Sequence, residues 1–118
     1  MTKNEQDPKI IRPIRWNGLR EDEAQKVIRE RVSDASSVIF GDHAFERVEQ
    51  RSITANDALR ILASGSVIGI PVLCANGVDW KALVQLRMPG GRNAGVVTVI
   101  FRPPSKSLFV VTVEWMDK

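Results

Sequence analysis

The chain is poor in the side chains on which much enzyme chemistry depends. Its 118 residues include one cysteine (Cys74), one histidine (His43) and no tyrosine. A single thiol excludes an internal disulfide and a cysteine-based zinc cluster. One imidazole and no phenol leave few candidates for general acid or base work. No apolar run approaches the ~20 residues of a membrane span. The opening Met1-Thr2-Lys3-Asn4-Glu5-Gln6-Asp7 lacks the apolar core of a signal peptide. These absences lead us to expect a single-domain, cytoplasmic protein with no membrane association.

Charge of one sign is in modest excess, with 17 Lys and Arg against 14 Asp and Glu. Its distribution is more telling. Residues 1–66 are balanced, eleven against eleven, whereas Asp79 to Val113 carries five basic residues and one acid. That local bias suits a phosphate-bearing or acidic partner.

The first sixteen residues carry Pro8 and Pro13 and no sustained period, which predicts an extended arm pinned by Ile14 or Trp16. A single domain over 17–118 follows. Asn17-Gly18 signals a turn, and Glu21-Asp22-Glu23 places acids where a helix dipole favours them. Ala24, Val27, Ile28 and Val32 then predict an amphipathic helix from Leu19 to Ser33. Val38-Ile39-Phe40 is a short apolar stretch ended by Gly41. Asp42 is the expected cap of a second helix to Arg51 whose apolar side is Ala44, Phe45 and Val48. Thr54-Ala55-Asn56-Asp57 reads as a capping box. It starts a third helix that buries Ala58, Leu59 and Leu62 and stops at Ser64-Gly65.

From Val67 the period changes to that of strands. Val67 to Leu73 is one strand, and Pro71 marks it as an edge. Trp80 to Met88 alternates: Trp80, Ala82, Val84, Leu86 and Met88 point one way, and Lys81, Leu83, Gln85 and Arg87 the other. Gly95 to Arg102 and Leu108 to Trp115 complete the set. The short connections predict an antiparallel meander. The expected fold is α+β, with N-terminal helices packed on a four-stranded antiparallel sheet.

His43, Arg47 and Arg51 fall at i, i+4 and i+8, along one side of the second helix. Near a helix start, the free N–H groups attract phosphate and disfavour imidazolium. A neutral histidine beside two guanidinium groups can take a proton from a hydroxyl next to a phosphate. The same residues could equally cap the helix and pair with Glu46, Glu49 or Asp57. Lys81 and Arg87 are expected on the sheet's open face, with Arg102 nearby and Arg92 and Lys106 in the adjoining loops. Together they form a cationic surface able to hold an RNA backbone, or simply a solvated face that resists edge pairing. Cys74 reads as a small buried hydrophobe, and the tryptophans as packing residues. The sheet half holds no carboxylate pair suited to a metal, and no metal or other cofactor is expected.

His43-Ala44-Phe45-Glu46-Arg47, continuing to Arg51-Ser52-Ile53-Thr54, resembles a small bacterial family with a His-Ala-x-x-Arg-x-x-x-Arg helix and a β-meander. That family is similar to the RelE/ParE-type toxins, which include MqsR- and BrnT-like proteins. The resemblance spans about Val38 to Trp115. It implies a RelE-like fold and the toxin of a toxin–antitoxin pair, an endoribonuclease that needs no metal. Its partners would be RNA, on or off the ribosome, and a cognate antitoxin protein. His43 would be the base or acid, Arg47 and Arg51 the phosphate clamp, and Lys81 with Arg87 the substrate-facing cations, Arg102 assisting. Such nucleases often use a tyrosine near the C-terminus; here Trp115 occupies the last strand, which leaves His43 as the acid–base group. The resemblance also admits a non-catalytic module that binds RNA or a protein target.

Overall fold

The three acids at Glu21–Glu23 start α1 (Glu21–Val32), and Arg29 and Arg31 close it, the arrangement that the helix dipole favours. The computed structural model describes residues 13–116; the first twelve residues of the expected arm lie outside that range. Glu23 turns back to accept a hydrogen bond from the backbone N–H of Arg20 (3.0 Å). Ala24, Val27, Ile28 and Val32 are buried along the helix as their spacing predicts. Leu19, just before it, is also buried.

A short 3-10 turn (Ala35–Ser37) leads to strand β1 (Val38–Phe40). Helix α2 (Asp42–Arg51) follows, but its cap is Gly41 and no side chain caps it. Asp42 is therefore the first helical residue rather than the cap, and His43 the second. Gly41 sits so close to Phe109 that an added Cβ would lie 2.7 Å from its ring, so a side chain at the cap has no room. Helix α3 (Ala55–Ser64) has the capping box that its sequence announces. Thr54 Oγ1 accepts from the Asp57 N–H, and Asp57 Oδ2 from the Thr54 N–H, both at 3.0 Å. It buries Ala58, Ile61 and Leu62, while Leu59 is only half-buried.

Strands β2 (Ser66–Leu73), β3 (Trp80–Arg87), β4 (Asn93–Ile100) and β5 (Leu108–Trp115) form the expected antiparallel meander. The sheet has five strands, however, in the order β1-β5-β4-β3-β2, and β1 pairs with β5 in parallel. The expectation of a four-stranded antiparallel sheet is thus corrected to a five-stranded mixed one. Three residues are too few to display a period-two pattern. Their crossover is everything between Gly41 and Ser107, far beyond the short connections that argued for a meander.

The row Trp80, Ala82, Val84 and Met88 faces the helices and is buried with Val96, Ile100, Leu108, Val110 and Val113. Thr98 is buried on the same side, its hydroxyl donating to the Phe109 carbonyl (3.0 Å). Strand β2 is an edge, as Pro71 suggested, and α1 blunts it. The N–H groups of Val67 and Gly69 donate to Gln25 Oε1 (2.9 Å) and Glu21 Oε2 (3.0 Å). The edge offers little to another strand.

Gly65 joins α3 to β2 where backbone meets backbone. A Cβ there would lie 2.6 Å from the carbonyl oxygens of both Gln85 and Ile61. Neither oxygen can move without disturbing an element. Gly65→Ala should therefore destabilise the fold by about 1–3 kcal/mol, read as a lower urea midpoint with an unchanged slope. A midpoint at or above wild type would show that the junction is looser than this.

Candidate nucleic-acid interface

Helix α2 runs alongside β5. The Gly41 N–H donates to the Val110 carbonyl (3.1 Å) at one end. At the other, Trp115 Nε1 donates to the Arg51 carbonyl (2.7 Å). Ala44 is fully buried, and Arg47, Val48 and Arg51 are half-buried on the inward side, while His43 and Phe45 are exposed.

His43 and Arg47 are in contact. Arg47 Nε donates to His43 Nε2 (3.2 Å), and Arg47 Nη1 donates to Gln50 Oε1 (2.8 Å). On the other side of the ring, His43 Nδ1 lies 3.8 Å from Glu46 Oε1. Nε2 is thus the accepting nitrogen, and Nδ1, the ring's other nitrogen, faces the carboxylate. Two of the ion-pair partners weighed from the sequence, Glu49 and Asp57, form no pair with these arginines among the described residues; Glu46 is the acid that reaches His43.

Arg51 lies one turn further on, against Trp115. Its Nε is buried and has no hydrogen-bond partner among the described residues. Arg92, from the loop between β3 and β4, stacks on the same indole, its Cζ 4.1 Å from the ring centroid. Arg51 and Arg92, distant in sequence, are thus brought to one tryptophan. That loop closes tightly: Met88 N–H donates to the Arg92 carbonyl (2.7 Å), and Gly91 N–H to the Met88 carbonyl (2.9 Å). Gly90 and Gly91 have φ of 95° and 87°, which side-chain-bearing residues rarely adopt.

The sheet cations separate into two ends. Arg87 and Lys81 are exposed on the open face as alternation predicts. They lie at opposite ends of β3, roughly 20 Å apart at ~3.3 Å per residue. Arg87 Nη2 approaches the Gly91 loop, on the Arg92 and Trp115 side. Arg102 is held elsewhere. Its N–H donates to Asp79 Oδ1 (2.8 Å) and its Nη2 to Asn17 Oδ1 (2.9 Å), which fixes it against the segment before α1. Beyond Ile100 the chain has left the strand, so strand alternation no longer places its side chains. Lys106 borders a cleft of about 650 Å³ with Trp16, Arg31, Pro103 and Pro104, also away from α2. His43, Arg47, Arg51, Arg92 and Arg87 therefore group along α2 and the adjoining end of the sheet. Lys81, Arg102 and Lys106 do not join them.

Sequence reasoning missed the apolar character of the open face, where Leu83, Val97, Val99 and Phe109 accompany Lys81 and Arg87. The alternation that placed the two cations places these residues as well.

Among the described residues, no group of three or more His, Cys, Asp or Glu could hold a metal ion. No helix there is long and apolar enough to cross a membrane. Cys74 is half-buried at the turn into β3. Burial pushes its thiol pKa up, Lys81 opposes that, and Asp79 adds to it. Alkylation by iodoacetamide should therefore rise with pH through a midpoint above that of an ordinary cysteine, since the thiolate is the nucleophile. A midpoint below the ordinary value would show that Lys81 dominates.

Comparison with known proteins adds no relative: no family model, curated protein or solved structure matches the chain.

Proposed function

We propose that the chain is the endoribonuclease toxin of a toxin–antitoxin pair, of RelE-like architecture, with α2 as its working surface. The observation that carries this reading is the contact between Arg47 Nε and His43 Nε2 (3.2 Å). It sets an exposed imidazole directly beside a guanidinium, with Arg51 one turn further along. RNA supplies its own nucleophile, the 2′-hydroxyl. Arg47 turns from Nε2 to the scissile phosphate, and the freed Nε2 takes the hydroxyl proton. The 2′-oxygen bonds to phosphorus, and the 5′-oxygen leaves with a proton returned by the imidazolium or water. The product is a 2′,3′-cyclic phosphate. Arg47 and Arg51 offset the charge that builds on the phosphoryl oxygens. The antitoxin is a protein with acidic segments suited to the basic face.

The test is expression without antitoxin, following growth and RNA integrity with and without ribosomes. Slowed growth and cleaved RNA are expected. Normal growth with intact RNA under both conditions would remove the nuclease reading.

One observation favours a second reading, a non-catalytic RNA-binding module. The lone pair that a base would use is already taken by Arg47. Such a module binds RNA with salt-sensitive affinity and leaves labelled RNA uncut.

A further inference from the structure

The open face of the sheet is more apolar than cationic. The strand registers align Ile39, Phe109, Val99, Lys81 and Val72 in one cross-strand row. The next row is Thr112, Val97, Leu83 and Ile68. Ile39, Ile68 and Val72 keep 46%, 47% and 60% of their surface exposed. The Phe101 and Phe109 rings lie 6.4 Å apart and, with Val99 and Cys74, line a hollow of about 410 Å³. Gly95 lets Leu83 and Met116 close over the sheet: an added Cβ would lie 3.1 and 2.6 Å from their side chains. A contiguous apolar surface of this kind marks an interaction site more often than ordinary exterior.

What it binds follows from the rest of the face. Strand addition at β2 is opposed, because Gln25 and Glu21 occupy the outward N–H groups and Pro71 has none. That edge is closed to docking, and the apolar rows present themselves face-on. Lys81 stands within the first row and Arg87 two rows beyond the second, both without an ion pair among the described residues; the acids here are Glu114, opposite Gly95, and Asp79, at the rim of the hollow and accepting from the Arg102 N–H. A second copy docked symmetrically about Lys81 would set the two ammonium groups against each other. RNA bases stack on flat rings, whereas the exposed members of the rows are branched aliphatics. We infer that this face docks a segment of a partner polypeptide that is apolar and carries acidic residues, one of which pairs with Lys81. The inference stands whether or not α2 cuts RNA.

The test uses the full chain and three labelled probes: an amphipathic peptide of Leu, Val and Glu, its counterpart with Lys for Glu, and oligouridine. Binding is read by fluorescence anisotropy and located by amide chemical shifts. The acidic peptide should bind and shift Val72, Lys81, Val99 and Phe109. Lys81→Glu and Val72→Asp should each weaken it by at least about tenfold, the size of a central interface contact, while Arg60→Ala on α3 leaves it unchanged. Ile39→Asp serves as an independent variant, and thermal melts confirm that each variant folds. No binding, equal binding of the lysine peptide, or indifference to Lys81→Glu would overturn the inference. So would oligouridine shifting the same residues, or a dimer of the chain that Val72→Asp abolishes.

Discussion

Replacing His43 by alanine should slow RNA cleavage by about 10²–10⁴-fold, the usual contribution of a positioned general base, without altering stability. The imidazole is largely exposed and its bonds lie within α2, so its removal leaves no buried group unpaired. Arg47→Ala is the more informative companion. It removes a phosphate cation and at the same time frees His43 Nε2. If Arg47 serves only to restrain the histidine, cleavage should be retained or rise. If it clamps phosphate, cleavage should fall and RNA binding weaken with it. Arg47→Lys keeps the charge and loses the forked geometry, so partial recovery separates charge from shape. Labelled RNA with single-turnover kinetics is the measurement. Wild-type rates in His43→Ala would remove the histidine from the chemistry and leave the binding-module reading in its place.

The helices could be read from the sequence because their signals are local. The acids at Glu21–Glu23, the box from Thr54 to Asp57 and the stop at Gly65 each act within one turn. The alternation of β3 likewise placed Trp80 inward and Lys81 outward. What failed were features settled by contacts distant in the chain. Nothing in Val38-Ile39-Phe40 shows that it joins Leu108–Val110 in parallel. Nothing near Asp42 shows that the ring of Phe109 leaves the cap to Gly41. The candidate site divides along the same line. Spacing on α2 aligned His43 with Arg47, but Arg92 reaches Trp115 only through the β3–β4 turn, and Arg102 leaves the sheet for Asn17. The +3 net charge is therefore not gathered on one patch.

Arg31 shows how far a distant contact can change the meaning of a residue. From sequence it is a cation in the last turn of α1, placed well for the dipole and otherwise free to point into water. In the fold its Nη1 donates to the carbonyls of Phe101 (2.6 Å) and Ser107 (2.9 Å), and its guanidinium lies over Trp16, 5.6 Å from the ring centroid. One side chain thus ties α1 to both ends of the β4–β5 connection and covers the segment before α1. Partial burial pulls its pKa below the usual value, and Glu30 and then Asp79 oppose that. An arginine remains charged through the whole physiological range regardless, so its contribution is flat with pH there. Arg31→Met keeps much of the volume but leaves two carbonyls without a donor. With charge-assisted bonds worth ~1.5–3 kcal/mol each, and part of that given back by water at a half-buried site, the loss should be about 3 kcal/mol. Arg31→Lys should recover part of it, since an ammonium can reach one carbonyl but lacks the planar fork. Urea unfolding followed by tryptophan fluorescence measures both, and a red-shifted native emission in Arg31→Met would report the uncovering of Trp16. A loss within ~0.5 kcal/mol, ordinary for a surface substitution, would show that the connection is held by its own turns and that Arg31 merely rests on it.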